Sequence, residues 1–144
     1  MRFKNKIALV TGTSSGIGKK IVDQLIKEGC IVIATTRKDA PKKIPKKLKY
    51  YKIDVTSQSE WNALSKYIKK KYKKLDILIN NAGVRISGDI NTTSLDLWNH
   101  IINTNLTSIF LGCKHCISLL KKSKNANIVN LASITSIRGI KNML

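Results

Sequence analysis

Five short apolar runs, rich in β-branched residues, are separated along this chain by stretches carrying the helical period, and that alternation leaves few folds open. Residues 6–11, 30–35, 48–53, 75–80 and 126–132 read as strands. Residues 16 to about 27 carry Ile17, Ile21, Val22, Leu25 and Ile26 at helical spacing, and Gly29 suits the left-handed exit from that helix. Ser57 or Ser59 is placed to cap a second helix with Trp61, Leu64, Tyr67 and Ile68 on one face. A long helix is predicted from Ser94 to about Lys121, with Leu97, Ile101, Leu111 and Leu119 among its apolar positions. Pro41 and Pro45 break the connection between the second and third strands. Strands this apolar need cover on both faces, which helices between parallel strands supply. With right-handed crossovers the pattern predicts an α/β fold: a doubly wound parallel sheet of Rossmann type, in three layers.

The 144 residues suffice for one domain with one core, and no second domain boundary or internal repeat interrupts them. No apolar run reaches membrane-spanning length, and the first residues lead directly into a strand pattern instead of a secretory leader. The expectation is a cytoplasmic protein without membrane contact. Cys113 and Cys116 form a CxxC, yet they fall within the predicted long helix and no second pair completes a tetrahedral site. They read as buried or half-buried helix residues, and no metal site is expected.

The formal charge of +19 comes from lysine concentrated in residues 42–49 and 69–74. Arginine is scarce and no aromatic-interleaved binding surface accompanies the lysines, so they read as solvated surface, and no nucleic-acid partner is expected.

The informative segment is Thr11-Gly12-Thr13-Ser14-Ser15-Gly16-Ile17-Gly18, between the first strand and the first helix. Here the chain must turn sharply while a diphosphate comes close to its backbone. Glycine meets both demands, and the helix N-terminus offers unpaired N–H groups and the positive end of its dipole. The strand–turn–helix setting is what makes the motif specific.

TGxxxGxG resembles the signature of the short-chain dehydrogenase/reductase family, and further motifs agree in order. Asp54-Val55 follows the third strand, where the family places a residue pair beside the adenine. Asn80-Asn81-Ala82-Gly83 ends the fourth strand and matches the family's NNAG. Residues 98–110 and 128–133 resemble corresponding stretches of 3-oxoacyl-[acyl-carrier-protein] reductases. The resemblance implies that residues 1–144 are a single NAD(P)-binding Rossmann domain, the N-terminal, five-strand portion of a longer one. It implies a cofactor site at Gly12, Thr13, Ser14, Ser15, Gly16, Ile17, Gly18, Asp54, Val55, Asn81, Ala82 and Gly83. After the second strand, where NAD-preferring relatives place an acid, stands Thr35-Thr36-Arg37-Lys38. Arg37 suits the extra phosphate of NADP(H), which is preferred over NAD(H), and Asp39 comes too late to serve the ribose.

Reducing a ketone needs a hydride for carbon and a proton for oxygen. By motif match, Ser133 is the family's substrate-binding Ser, and Asn105 is its Asn supporting a water relay. The residues after Ser133 contain no Tyr for the family's YxxxK. Tyr67 and Lys71 satisfy those letters but fall on the helix before the fourth strand, away from the strand ends that hold the cofactor. Losing a general acid costs on the order of 10²–10⁴ in rate, so this chain alone is expected to be inactive. The expected substrate is a ketone, small or bound to an acyl carrier protein, and the full-length relative is expected to be a homo-oligomer. The competing reading is a dinucleotide-binding module without catalysis.

Overall fold

The computed structural model describes residues 1–141. Strands β1 (Ile7–Val10), β2 (Ile31–Thr36), β3 (Leu48–Lys52), β4 (Ile77–Asn80) and β5 (Asn127–Asn130) form one parallel sheet in the order β3-β2-β1-β4-β5. The chain steps outward from β1 to β3, then returns to the other side of β1 for β4 and β5. The strand order therefore reverses between β1 and β4, and the carboxyl ends there form the crevice where such sheets take ligands.

Helix α1 (Gly16–Lys27) covers one face of the sheet, while α2 (Gln58–Tyr72) and α4 (Ser108–Leu120) cover the other. The alternation of side chains along each strand decides which residues meet which helix. Ala8, Val10, Val32 and Ala34 pack with Val22 and Leu25 of α1. Leu9, Ile33 and Leu78 pack instead with Trp61, Leu64 and Ile68 of α2 and with Leu111, Cys116 and Leu119 of α4. An apolar core thus lies on each face, and this is the expected three-layer, doubly wound sheet.

Two local details depart from the sequence pattern or sharpen it. The single helix expected from Ser94 to Lys121 is interrupted: α3 (Leu95–Ile102) passes through a π turn at Asn103–Thr107 before α4 begins. A π turn inserts one residue into the helical ladder, and such turns concentrate at functional sites. Ser57, and not Ser59, caps α2, accepting a hydrogen bond from the Glu60 amide.

β5 pairs with β4 alone among the described residues, and its four residues are all exposed. Among the described residues it forms one edge of the sheet. Cys116 is buried on α4, where burial pushes its thiol up to about 12, and Cys113 is half-buried. These are packing residues. No helix among the described residues is long and apolar enough to cross a membrane.

Candidate functional site

A cleft of about 540 Å³ opens where β1, β2 and β4 end. Its lining includes Gly12, Ser14, Ser15, Gly16, Ile17 and Gly18 from the β1–α1 turn, Arg37 and Lys38 after β2, Asp54 and Val55 after β3, and Asn81, Ala82 and Gly83 after β4. Segments far apart in sequence thus meet in one place.

The turn is held by its neighbours across the sheet. The Asn81 side-chain amide donates to the carbonyls of Thr11 and Gly12, each at 2.9 Å. The Thr11 hydroxyl accepts from the backbone amides of Asn81, at 3.0 Å, and Ala82, at 2.9 Å. Thr11 thereby locks the segment after β4 to the segment after β1. In the sequence Thr11 stands out only as part of the motif, a hydroxyl at the strand end directly before the glycine turn. Gly16 adopts φ 58°, a left-handed conformation that disfavours any side chain, and a Cβ there would meet nothing within 4 Å. Its backbone faces open space in the cleft.

Thr13 stands behind the cleft: its side chain is buried and its hydroxyl donates to the Thr35 carbonyl at 2.9 Å, which anchors the turn to β2, and it is absent from the cleft lining.

Asp54 is fixed in place. Its Oδ1 accepts from the Thr56 amide at 2.9 Å and the Thr56 hydroxyl at 2.8 Å, while its own amide donates to Glu60 at 2.7 Å. The Thr56 amide, against a smaller opposing effect of burial and with help from the Thr56 hydroxyl, Arg37 and His100, holds its carboxyl below the usual carboxylate range. The carboxylate stays ionised at neutral pH. Asp39 pairs with Lys52 at 2.9 Å and does not line the cleft, as its late position suggested.

Asn105 sits in the π turn, and both ends of its amide are committed. Oδ1 accepts from the Val84 amide at 2.8 Å, and Nδ2 donates to the Val84 carbonyl at 2.9 Å. It clamps the segment after β4 to the helix and does not itself line the cleft. Ser133 lies beyond β5, where its hydroxyl accepts from the Thr135 amide at 3.3 Å as the cap of a short 3₁₀ turn. It too falls outside the lining of this cleft. Val84, His100 and Thr104 line the cleft without having been singled out. His100 and Thr104 stand one helical turn apart, a spacing the sequence contained but no motif marked.

On α2, Tyr67 packs with Tyr72 and with Tyr51 of β3, and the Lys71 ammonium lies 5.7 Å from the Tyr67 ring centroid. Neither lines the cleft, in line with the rejection of this YxxxK.

The family model for short chain dehydrogenases matches residues 6–144. A 3-beta-hydroxysteroid dehydrogenase of Comamonas testosteroni is 30% identical over 140 residues, covering 94% of this chain and 55% of the relative. A 3-oxoacyl-[acyl-carrier-protein] reductase of Salmonella typhimurium is 34% identical over 144 residues, covering 96% and 59%. Among solved structures, ligand-free aldohexose dehydrogenase of Thermoplasma acidophilum superposes with a TM-score of 0.91 at 32% identity, covering 98% of this chain and 54% of that one. The structure of ElxO with NADP bound gives 0.89 at 32% identity, covering 96% and 59%. The chain spans about half the length of the curated relatives it matches.

Proposed function

The chain belongs to the short-chain dehydrogenase family, and from that premise we propose that it is the dinucleotide-binding, N-terminal portion of an NADP(H)-dependent oxidoreductase that reduces a ketone to a secondary alcohol. The observation that carries this reading is Gly16, whose backbone opens on the cleft with nothing within 4 Å of where a Cβ would stand. A diphosphate needs that bare backbone beside the first turn of α1. Residues 1–144 then act as one NAD(P)-binding Rossmann domain.

In this reading Gly12, Ser14, Ser15, Gly16, Ile17 and Gly18 cradle the diphosphate, and Thr13 serves by holding their turn. Asp54 and Val55 flank the base, and Asn81, Ala82 and Gly83 border the same cofactor along β4. A bound nicotinamide supplies the hydride; the protein's own task is to orient the carbonyl and supply the proton. Ser133, at the carboxyl end of β5, is read as the group that hydrogen-bonds the substrate oxygen. Val84 takes one N–H and one lone pair of the Asn105 amide, and the second N–H and lone pair are left to support a water. The proton donor implied by the family, the Tyr of YxxxK, is not among these residues. A polypeptide of the 144 residues alone is therefore expected to bind NADPH yet reduce ketones far more slowly than one continued through a YxxxK segment. Comparable turnover by both would remove the need for that acid.

The preference for NADP(H) over NAD(H) rests on Arg37 and Lys38, which line the cleft after β2 where no carboxylate does; ElxO, with NADP bound, is a structural neighbour. In calorimetric titrations the chain is expected to take up NADPH more tightly than NADH. Arg37→Glu should weaken NADPH by about 10- to 100-fold, as loss of a hydrogen-bonded charge pair implies, and leave NADH almost unchanged. Equal weakening of both would deny Arg37 this role. Uptake of neither by the parent chain would end the dinucleotide reading.

The substrate is a ketone of a small molecule or of an acyl-carrier-protein thioester; the named relatives act on both kinds. The lysine-rich surface does not favour the carrier protein. Residues 42–49 lead into β3 and residues 69–74 end α2, so both runs lie toward the amino ends of the strands, opposite the cleft. Trp98 on α3, Leu106 in the π turn and Phe110 on α4, exposed at 45%, 62% and 59%, support a homo-oligomer.

A further inference from the structure

We propose that the end of the sheet opposite the cleft is a docking surface for an anionic lipid bilayer. The inference goes beyond the dinucleotide reading and does not depend on it.

All four strand pairings are parallel, so the segments leading into the strands collect at one end. These segments, residues 1–6, 27–30, 45–47, 69–76 and 121–126, hold fourteen of the chain's 27 Lys and Arg residues. Their two acids are both taken, Glu28 by Arg2 at 3.2 Å and Asp76 by Lys74 at 3.0 Å. Asp54, Asp89 and Asp96 instead follow strands, at the cleft end. The excess positive charge is thus sorted along the strand axis.

Contacts hold these segments side by side. The Gly29 carbonyl accepts from Lys47 Nζ and from the Asn5 amide, each at 3.3 Å, which joins the approaches to β1, β2 and β3. Asp76 gathers Lys6 at 3.6 Å and the Ser123 hydroxyl at 2.6 Å, which brings in the turn at 121–124. Five strand starts about 4.8 Å apart form a row about 19 Å long. That is roughly two Debye lengths at physiological salt, so the charges act together.

Helix ends account for only part of this charge. A cation in the last turn complements a helix C-terminus, and Lys27 does so for α1. α2 carries three lysines in its last turn and two more just beyond it.

The chemistry of the patch fits lipid headgroups better than nucleic acid. Nucleic-acid recognition draws on guanidinium forks and exposed aromatic faces. Arg2 is the one arginine in these segments, and Glu28 and the Phe3 ring occupy its guanidinium. Phe3 and Tyr72 are half-buried. Lysine ammoniums are point charges on flexible stems, which suits a fluid anionic surface. Met1, exposed at 80%, and Ile44, exposed at 39%, add apolar groups beside them for the headgroup boundary. A chain so held lies on the bilayer without spanning it, and the cleft faces water.

The test is co-sedimentation of the chain with vesicles of phosphatidylcholine alone and of an equal mixture with phosphatidylserine. Binding is expected to the mixed vesicles only, and it should vanish near 1 M salt, where the Debye length is about 3 Å. Lys70→Gln with Lys122→Gln, at two exposed sites of this end, should weaken binding about 25-fold, two lysines at roughly 5-fold each. The corresponding Glu pair should weaken it further. Lys20→Gln with Lys114→Gln removes the same charge from α1 and α4 away from this end and should weaken binding by less than about 3-fold. Equal weakening by both Gln pairs would show attraction without a docking surface and overturn the proposal. Absence of binding to the mixed vesicles would overturn it too. So would binding to single-stranded RNA that those vesicles fail to compete away, which would assign this end to nucleic acid.

Discussion

Gly18→Ala is expected to abolish measurable NADPH uptake, with affinity falling at least about 100-fold, the scale set by displacing a binding group by an ångström. A Cβ at Gly18 would overlap the Gly12 carbonyl oxygen and the Asn81 side-chain nitrogen, and would stand 3.0 Å from the Gly12 carbonyl carbon. Those two overlapped atoms are hydrogen-bonded to each other at 2.9 Å. Neither can step aside easily. The Asn81 amide also holds the Thr11 carbonyl at 2.9 Å, and a Cβ at Gly12 itself would stand only 2.7 Å from the Ala82 Cα. The first turn of α1 must therefore move away from the turn that is meant to present its amides. Overpacking of this kind costs about 1–3 kcal/mol of stability, so thermal unfolding should fall as well. Gly16→Ala gives the contrasting control. It incurs the cost of a left-handed L-residue, about 1–2 kcal/mol, but meets no atom within 4 Å. Its methyl would project into the cleft, so uptake should fall while the turn stays intact. Retention of NADPH affinity within a few-fold by folded Gly18→Ala would show that the tight junction does not set the binding geometry.

The strands and their order of connection were legible because burial on both sheet faces demands apolar runs, and such runs survive in any one sequence. The β1–α1 turn was legible because close backbone approach demands glycine. What escaped the sequence depends on partners distant along the chain. Thr13 reads as a loop hydroxyl, yet it is captured by Thr35, and nothing local announces that. The π turn at Asn103–Thr107 leaves the apolar period of the surrounding helix nearly continuous, so the pattern predicts one helix. Its anchor, Val84, lies in a segment of irregular backbone. His100 carries no motif, and only the fold brings it into the lining of the same cleft as Asp54. Ser133 stands after β5, where the motif puts it, but outside the lining of the cleft, so its role rests on the proposed function.

Asp76→Ala is expected to destabilise the fold by about 2–4 kcal/mol in urea unfolding at neutral pH, because it removes a buried carboxylate on which four groups converge. Asp76 precedes β4 and its side chain is fully buried. Oδ2 accepts from the Ile7 amide at 2.9 Å, and Oδ1 accepts from the Ser123 hydroxyl at 2.6 Å and from Lys74 at 3.0 Å. Lys6 lies 3.6 Å away. The backbone of the same residue pairs with Ile7 at 2.9 Å and with Asn127 at 3.0 Å. Asp76 thus joins the starts of β1, β4 and β5 and the end of α4 at the pole opposite the cleft. Lys6 and Lys74 remain partly exposed and keep much of their hydration after the substitution, which keeps the loss below that of a wholly buried pair. Burial raises the Asp76 pKa, but the Ser123 hydroxyl, the Ile7 amide and Lys74 together outweigh it and leave the group below the ordinary carboxylate value. A group held lower when folded contributes its stability above the unfolded value, about 4, and loses it as pH falls through the folded value. The parent should therefore lose stability on acidification below about pH 4. Asp76→Asn, which keeps a carbonyl acceptor for Ile7 but cannot ionise, should be less stable at neutral pH and show a shallower decline over that range. An Asp76→Ala chain within about 0.5 kcal/mol of the parent, the scatter of ordinary surface substitutions, would show that this carboxylate does not hold the sheet together.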